Sequence, residues 1–167
     1  MLATLLAIPL FGLLVIFQSA IVSRMPLLHG TADLVLLVVI AWALQERVRS
    51  AWQWALIAGM IMAYVSALDN VIPITSYLAV TFLALLLRQR IWQAPILAML
   101  AVTFAGSLLV NIFTALYLSI AGTALPFLDT LNLIILPSII LNLLLAIPVY
   151  ALVKDLAEWL YPEEIDL

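Results

Sequence analysis

Long, unbroken apolar runs divide this chain, and its polar residues collect in the short stretches between them. The runs are continuous rather than alternating, which predicts helices and argues against a barrel of strands. Six helices are expected, over about 2–22, 33–46, 51–68, 73–88, 93–121 and 131–158. Ser23-Arg24 closes the first, and a loop-like Met25-Pro26-Leu27-Leu28-His29-Gly30-Thr31 leads to the second. Gln45-Glu46-Arg47-Val48-Arg49 ends the second, Asp69-Asn70 the third and Arg88-Gln89-Arg90 the fourth. Pro73 suits the first turn of a helix, where no amide hydrogen is needed. The sixth run carries Pro137 and Pro148, meets Lys154, and continues to an interfacial end with Trp159 and Tyr161 as aromatic anchors.

The second run poses a problem of length. Asp33 to Leu44 is 12 residues, about 18 Å of helix against a hydrocarbon core of about 30 Å. Either neighbouring helices shelter it, or the Pro26–Thr31 stretch enters the membrane as protein-covered irregular backbone.

Composition agrees with a lipid solvent. Hydrophobic residues make up 68% of 167 positions and charged residues only 9%, with a mean hydropathy of +1.30. A soluble domain needs far more charge to cover its core. The expected fold is therefore an all-α integral membrane protein, a single transmembrane domain over 1–167 with six helices in one bundle. Six spans would use on the order of 120 residues, which leaves loops and a short tail rather than an extramembrane domain. The first run lacks a basic n-region and a small-residue cleavage site, so it is expected to stay as a helix.

Charge sets the expected orientation. With both termini on the cytoplasmic side, Arg47, Arg49, Arg88, Arg90 and Lys154 lie inside and Arg24 alone lies outside, as the positive-inside rule requires. The four cytoplasmic arginines could also contact anionic lipid headgroups or a cytoplasmic partner. The net charge of −3 comes largely from Glu163, Glu164 and Asp166 and gives no reason to expect nucleic acid.

Little in the chain points to chemistry. There is no cysteine, and His29 is the single histidine, so thiol catalysis, a disulfide framework and a metal site lack their residues. Phosphate-cradling glycine loops, Ser-His-Asp sets and HExxH are missing as well. No enzyme activity and no cofactor are expected.

Three polar or small-residue features remain. Ala55, Gly59, Ala63 and Ala67 recur every four residues and form a face that admits a second backbone closely. That face serves either this bundle's own packing or a partner's transmembrane helix. Ala3 and Ala7 make a shorter pair of the same kind. Asn111 and Asn142 each sit deep in an apolar run, at depths that suit a cross-helix hydrogen bond, with a polar substrate site as the alternative. Asp33 and Asp69 stand at predicted helix ends. Asp33 is well placed as an N-cap favoured by the helix dipole, although intramembrane acids are also candidates for a proton relay or a catalytic pair.

The order of these features resembles the MreD family of bacterial rod-shape membrane proteins. The likeness rests on Phe17-Gln18-Ser19 closing the first helix, then an arginine and Met25-Pro26-Leu27, then Ala32-Asp33-Leu34-Val35-Leu36-Leu37-Val38-Val39. It continues with Asp69 at the end of the third helix and Leu136-Pro137-Ser138-Ile139-Ile140-Leu141-Asn142 through Pro148 in the last. Ala32 stands where the family usually has proline, and Ala63 to Ala67 lacks the glycines expected before Asp69. The resemblance implies a non-enzymatic scaffold of the bacterial cytoplasmic membrane that binds MreC. Through it, the scaffold links the MreB filament indirectly to a peptidoglycan transpeptidase and its polymerase. It also implies a fold like that of the substrate-binding subunits of energy-coupling-factor vitamin transporters. That kinship leaves a second reading open, a vitamin-binding subunit in which Gln18, Asp33, Asp69 and Asn70 converge on an outward pocket.

Overall fold

In the computed structural model, which describes residues 2–20, 27, 29–89, 94–122 and 126–162, the apolar runs are helices. They are α1 (Leu2–Ala20), α2 (Leu34–Leu44), α3 (Ala51–Val65), α4 (Val71–Arg88) and α5 (Pro95–Ile120). A short α6 (Phe127–Thr130) then passes through a π-helical turn, Leu131–Ile135, into α7 (Leu136–Leu160). No β-strand occurs among the described residues. The one bridge joins Leu27 to Gly30 across a turn.

Four stretches are long and apolar enough to cross a membrane: Ala3–Ala20, Val71–Arg88, Pro95–Ile120 and Leu128–Leu160. The chain is thus a multi-pass membrane protein. Helices α2 and α3 are apolar but shorter.

The short α2 is the centre of the molecule. All eleven of its residues are buried, and α1, α3, α4, α5 and α7 each pack against it. Around it the outer helices follow one another in the order α1, α3, α4, α5, α7. A helix enclosed on every side has no polar face to present, which is why Leu34–Leu44 reads apolar throughout. Shelter by neighbours answers the length problem: about 16 Å of helix need not span lipid when lipid never reaches it.

Small residues let the outer helices close on each other. Gly59 of α3 packs on the backbone of α4, so that a Cβ added there would stand 2.9 Å from Ile74 Cα. Ala55 and Ala63 are buried on the same face. Within the stripe, then, Gly59 meets α4 of the same chain, Ala55 and Ala63 are buried inside the bundle, and Ala67 alone is exposed. The weaker pair in the first helix also faces inward. Ala3, Ala7 and Phe11 are the buried positions of α1. Trp54 of α3 meets them, with its ring edge-on to Phe11 at 5.4 Å and its Nε1–H donating to the Ala3 carbonyl at 2.9 Å. Trp54 also stacks on Trp42 of α2, with centroids 3.8 Å apart and planes 10° from parallel.

Helix ends moved by a few residues. α3 stops at Val65 rather than 68, and α4 begins at Val71 because the Asp69 carboxylate accepts from the Val71 amide at 3.0 Å. Pro73 is then the third residue of α4, still in the turn where its missing hydrogen costs nothing. The last helix begins earlier than expected, at Phe127. Pro137 explains its π turn: it cannot donate to the Leu133 carbonyl and its ring pushes that carbonyl aside. The freed oxygen accepts instead from the His29 amide at 3.0 Å. Gly30 lies against the same break, where a Cβ would meet Ser138 N at 2.5 Å, Pro137 Cβ at 2.7 Å and the Ile134 carbonyl at 2.9 Å.

Candidate functional site

The polar residues that the membrane would penalise most are gathered in one layer at the N-terminal end of α2. Asp33 is its hub. As the N-cap, it accepts from the Leu36 amide through Oδ1 at 2.9 Å, which satisfies one of the amides a helix start leaves open. The Tyr77 hydroxyl of α4 donates to both carboxylate oxygens, at 3.0 Å to Oδ1 and 2.8 Å to Oδ2. Two more open amides are met by side chains from other helices. Gln18 of α1 accepts from Leu34 N at 2.8 Å, and Asn142 of α7 accepts from Asp33 N at 2.8 Å. Asn142 then donates to Ser107 Oγ of α5 at 2.9 Å. Thr31 N, two residues before the cap, donates to Ser138 Oγ at 3.2 Å.

This layer lies within the thickness of the bundle. Ser107 stands 12 residues from Pro95 and 13 from Ile120, about 18 and 20 Å along α5. Helices α1, α4 and α7 hold the head of α2 through Gln18, Tyr77 and Asn142, and α5 supports it through the bond between Ser107 and Asn142, so an element too short to span is pinned by its neighbours.

The opposite end is tied by a cation. Arg88, in the last turn of α4, donates through Nη1 to the carbonyls of Ala43, Gln45 and Val48 at 3.2, 2.8 and 3.3 Å. A carboxylate at the N-terminus and a guanidinium at the C-terminus oppose both ends of the α2 dipole.

The predicted site residues therefore sort as follows. Gln18 and Asp33 do meet. Asp69 and Asn70 do not join them; both are exposed in the α3–α4 turn, where Asp69 caps α4. Asn111 and Asn142 line the same cavity but do not bond each other. Asn142 is taken by Asp33 and Ser107, and Asn111 donates to its own Ser107 carbonyl at 2.8 Å. Of the basic set, Arg88 is structural. Arg47 is exposed and reaches the Tyr161 carbonyl at 3.4 Å, and Arg49 is exposed. Arg90 and Arg24 lie outside the described residues. Tyr77, Ser107 and Ser138 were not singled out by the sequence. Tyr77 had a signal, because a tyrosine in an apolar run needs a partner for its hydroxyl; the two serines had none.

A cavity of about 180 Å³ opens beside this layer, lined by Asp33, Thr31, Ser107, Asn111, Ser138 and Asn142 with His29 and three apolar side chains. A second, of about 190 Å³, lies at the Arg88 end beside Gln45, Arg47, Tyr150 and Glu158. No group of three or more His, Cys, Asp or Glu suited to a metal occurs among the described residues.

Comparison with protein-family models, with curated proteins and with solved structures gave no match.

Proposed function

We propose that this chain is a non-enzymatic scaffold of the MreD type, a six-helix bundle of the bacterial cytoplasmic membrane with both termini inside. In this role it binds the bitopic MreC and so joins the MreB cytoskeleton to peptidoglycan synthesis. The observation that carries the reading is how the polar layer is spent. Gln18, Asp33, Tyr77, Ser107 and Asn142 are engaged in holding α2, and the space left beside them is about 180 Å³. Pockets for vitamin-sized ligands run to roughly 300–1,000 Å³. A polar centre consumed by architecture suits a protein that works by association and disfavours the vitamin-binding alternative. The motif Ala32-Asp33-Leu34 that supports the family resemblance is also the cap on which α2 is built. Since Ala55, Gly59 and Ala63 of the α3 stripe are buried within this bundle, MreC is expected on other faces.

Affinity purification of the tagged chain from native membranes in mild detergent, followed by mass spectrometry, tests this. Co-recovery of a single-pass coiled-coil protein and cell-wall synthases is the expected result. Recovery of paired ATPases with a transmembrane coupling subunit would replace the scaffold by the transporter subunit.

A further inference from the structure

Among the described residues, the carboxylate at the head of α2 has no counter-charge in the cavity wall. Their part of the lining of the 180 Å³ cavity holds no lysine or arginine, and it includes the exposed His29 and Thr31. Counting hydrogen bonds shows what faces the space. The Asp33 carboxylate accepts from the Leu36 and Val35 amides and, through both oxygens, from the single Tyr77 hydroxyl; three donors leave one of its roughly four acceptor positions open. Asn111 must turn its amide nitrogen to the Ser107 carbonyl, because a carbonyl only accepts; its Oδ1 is left without a donor. Ser107 and Ser138 each accept one bond through Oγ and keep a second lone pair. The wall is thus one carboxylate with a set of neutral oxygens; Ser107, Ser138 and Asn142 are buried, Asp33 and Asn111 half-buried, and Thr31 is exposed at the mouth.

We infer that this cavity binds a single alkali-metal cation, held between Asp33 Oδ2 and Asn111 Oδ1 with the hydroxyl oxygens of Ser107, Ser138 and Thr31 around it. Oxygen-only donors select hard cations. The single carboxylate balances a monovalent ion, while a divalent ion would want further acids that the cavity lacks. The volume accommodates the ion with some of its water, since one water occupies about 30 Å³ in the liquid. Such an ion would supply the charge that the layer is missing and lock the segment before α2 to α5 and α7. The site uses the same polar layer as the scaffold reading but stands or falls by a different measurement.

Thermal unfolding of the purified full-length chain in detergent at about pH 8, in choline chloride replaced stepwise by NaCl or KCl at constant ionic strength, reads the site. A saturable rise in Tm with one or both alkali ions is expected, together with one ²²Na⁺ or ⁸⁶Rb⁺ bound per chain. Asn111→Leu, whose lost bond is confined to its own helix, should leave Tm in choline unchanged and weaken the ion response about tenfold or more. Asp33→Asn should abolish the response. An equal Tm in choline, sodium and potassium overturns the inference, as does an unaltered ion response in Asn111→Leu. A Tm that follows pH but ignores the cation also overturns it, and assigns a proton to Asp33 instead.

Discussion

Asp33 shows how much one side chain can carry in a solvent that offers no hydrogen bonds. It closes the first turn of α2, receives the Tyr77 hydroxyl, and offers its amide to Asn142. Each of those groups would otherwise be a buried polar atom facing hydrocarbon. Tyr77→Phe removes the one side-chain donor to the carboxylate while keeping the ring that packs in the core. A loss of about 1–2 kcal/mol is expected, measured by denaturant unfolding in mixed micelles. An unchanged stability would mean that water replaces the hydroxyl. The same residue-by-residue accounting explains Gly30. It lies where backbone meets backbone at the Pro137 break, so no side chain fits.

At the scale of elements, α2 is a helix whose ends matter more than its composition. Its positions are Leu, Val or Ile except for Trp42 and the two alanines at 41 and 43, and any of the other helices could be described as apolar too. What sets it apart is that each end is closed by charge from elsewhere: Asp33 just before it, and Arg88 from α4. Arg88→Met keeps the aliphatic stem and removes the donor, leaving carbonyls of Ala43, Gln45 and Val48 short of a partner. A cost of about 1–2 kcal/mol is expected, partly restored by Arg88→Lys, which returns the charge; the same unfolding assay checks both. The π turn in the last helix follows a similar logic. A proline creates an orphan carbonyl, and the His29 amide meets it, so the break in one element is the anchor of the segment that precedes another.

For the whole molecule, a buried hub inside five outer helices predicts a hierarchy of opening. Helix α2 is protected by every neighbour and capped at both ends, so its amides should exchange with deuterium only on global unfolding. Helix α1 holds to the rest mainly through Ala3, Ala7 and Phe11, and leaves Leu5, Leu13 and Ile16 exposed to lipid. Its release should precede global unfolding. Hydrogen-exchange mass spectrometry of the detergent-solubilised chain should therefore show α2 slower than α1 under mild destabilisation. Equal rates would indicate that the bundle opens as one unit.

The sequence by itself determined the solvent, the helical class, the approximate helix ends and the cap at Asp33, because each depends on hydropathy or on chemistry within one turn. It also held both uses of the Ala55–Ala63 face without choosing between them. Only the tertiary structure decided that α4 comes against it at Gly59, since a small residue says that a backbone comes close but not whose. The short second run looked like a deficient span until its five neighbours enclosed it. Asn111 and Asn142 were legible as buried amides needing partners. That Asn142 serves Asp33 and Ser107 depended on the rotation of α5 and α7 about their axes, a quantity that uniformly apolar helices do not encode in their pattern. Hydrophobicity fixes where such a chain goes; the few polar atoms, paired across helices far apart in sequence, fix how it is packed there.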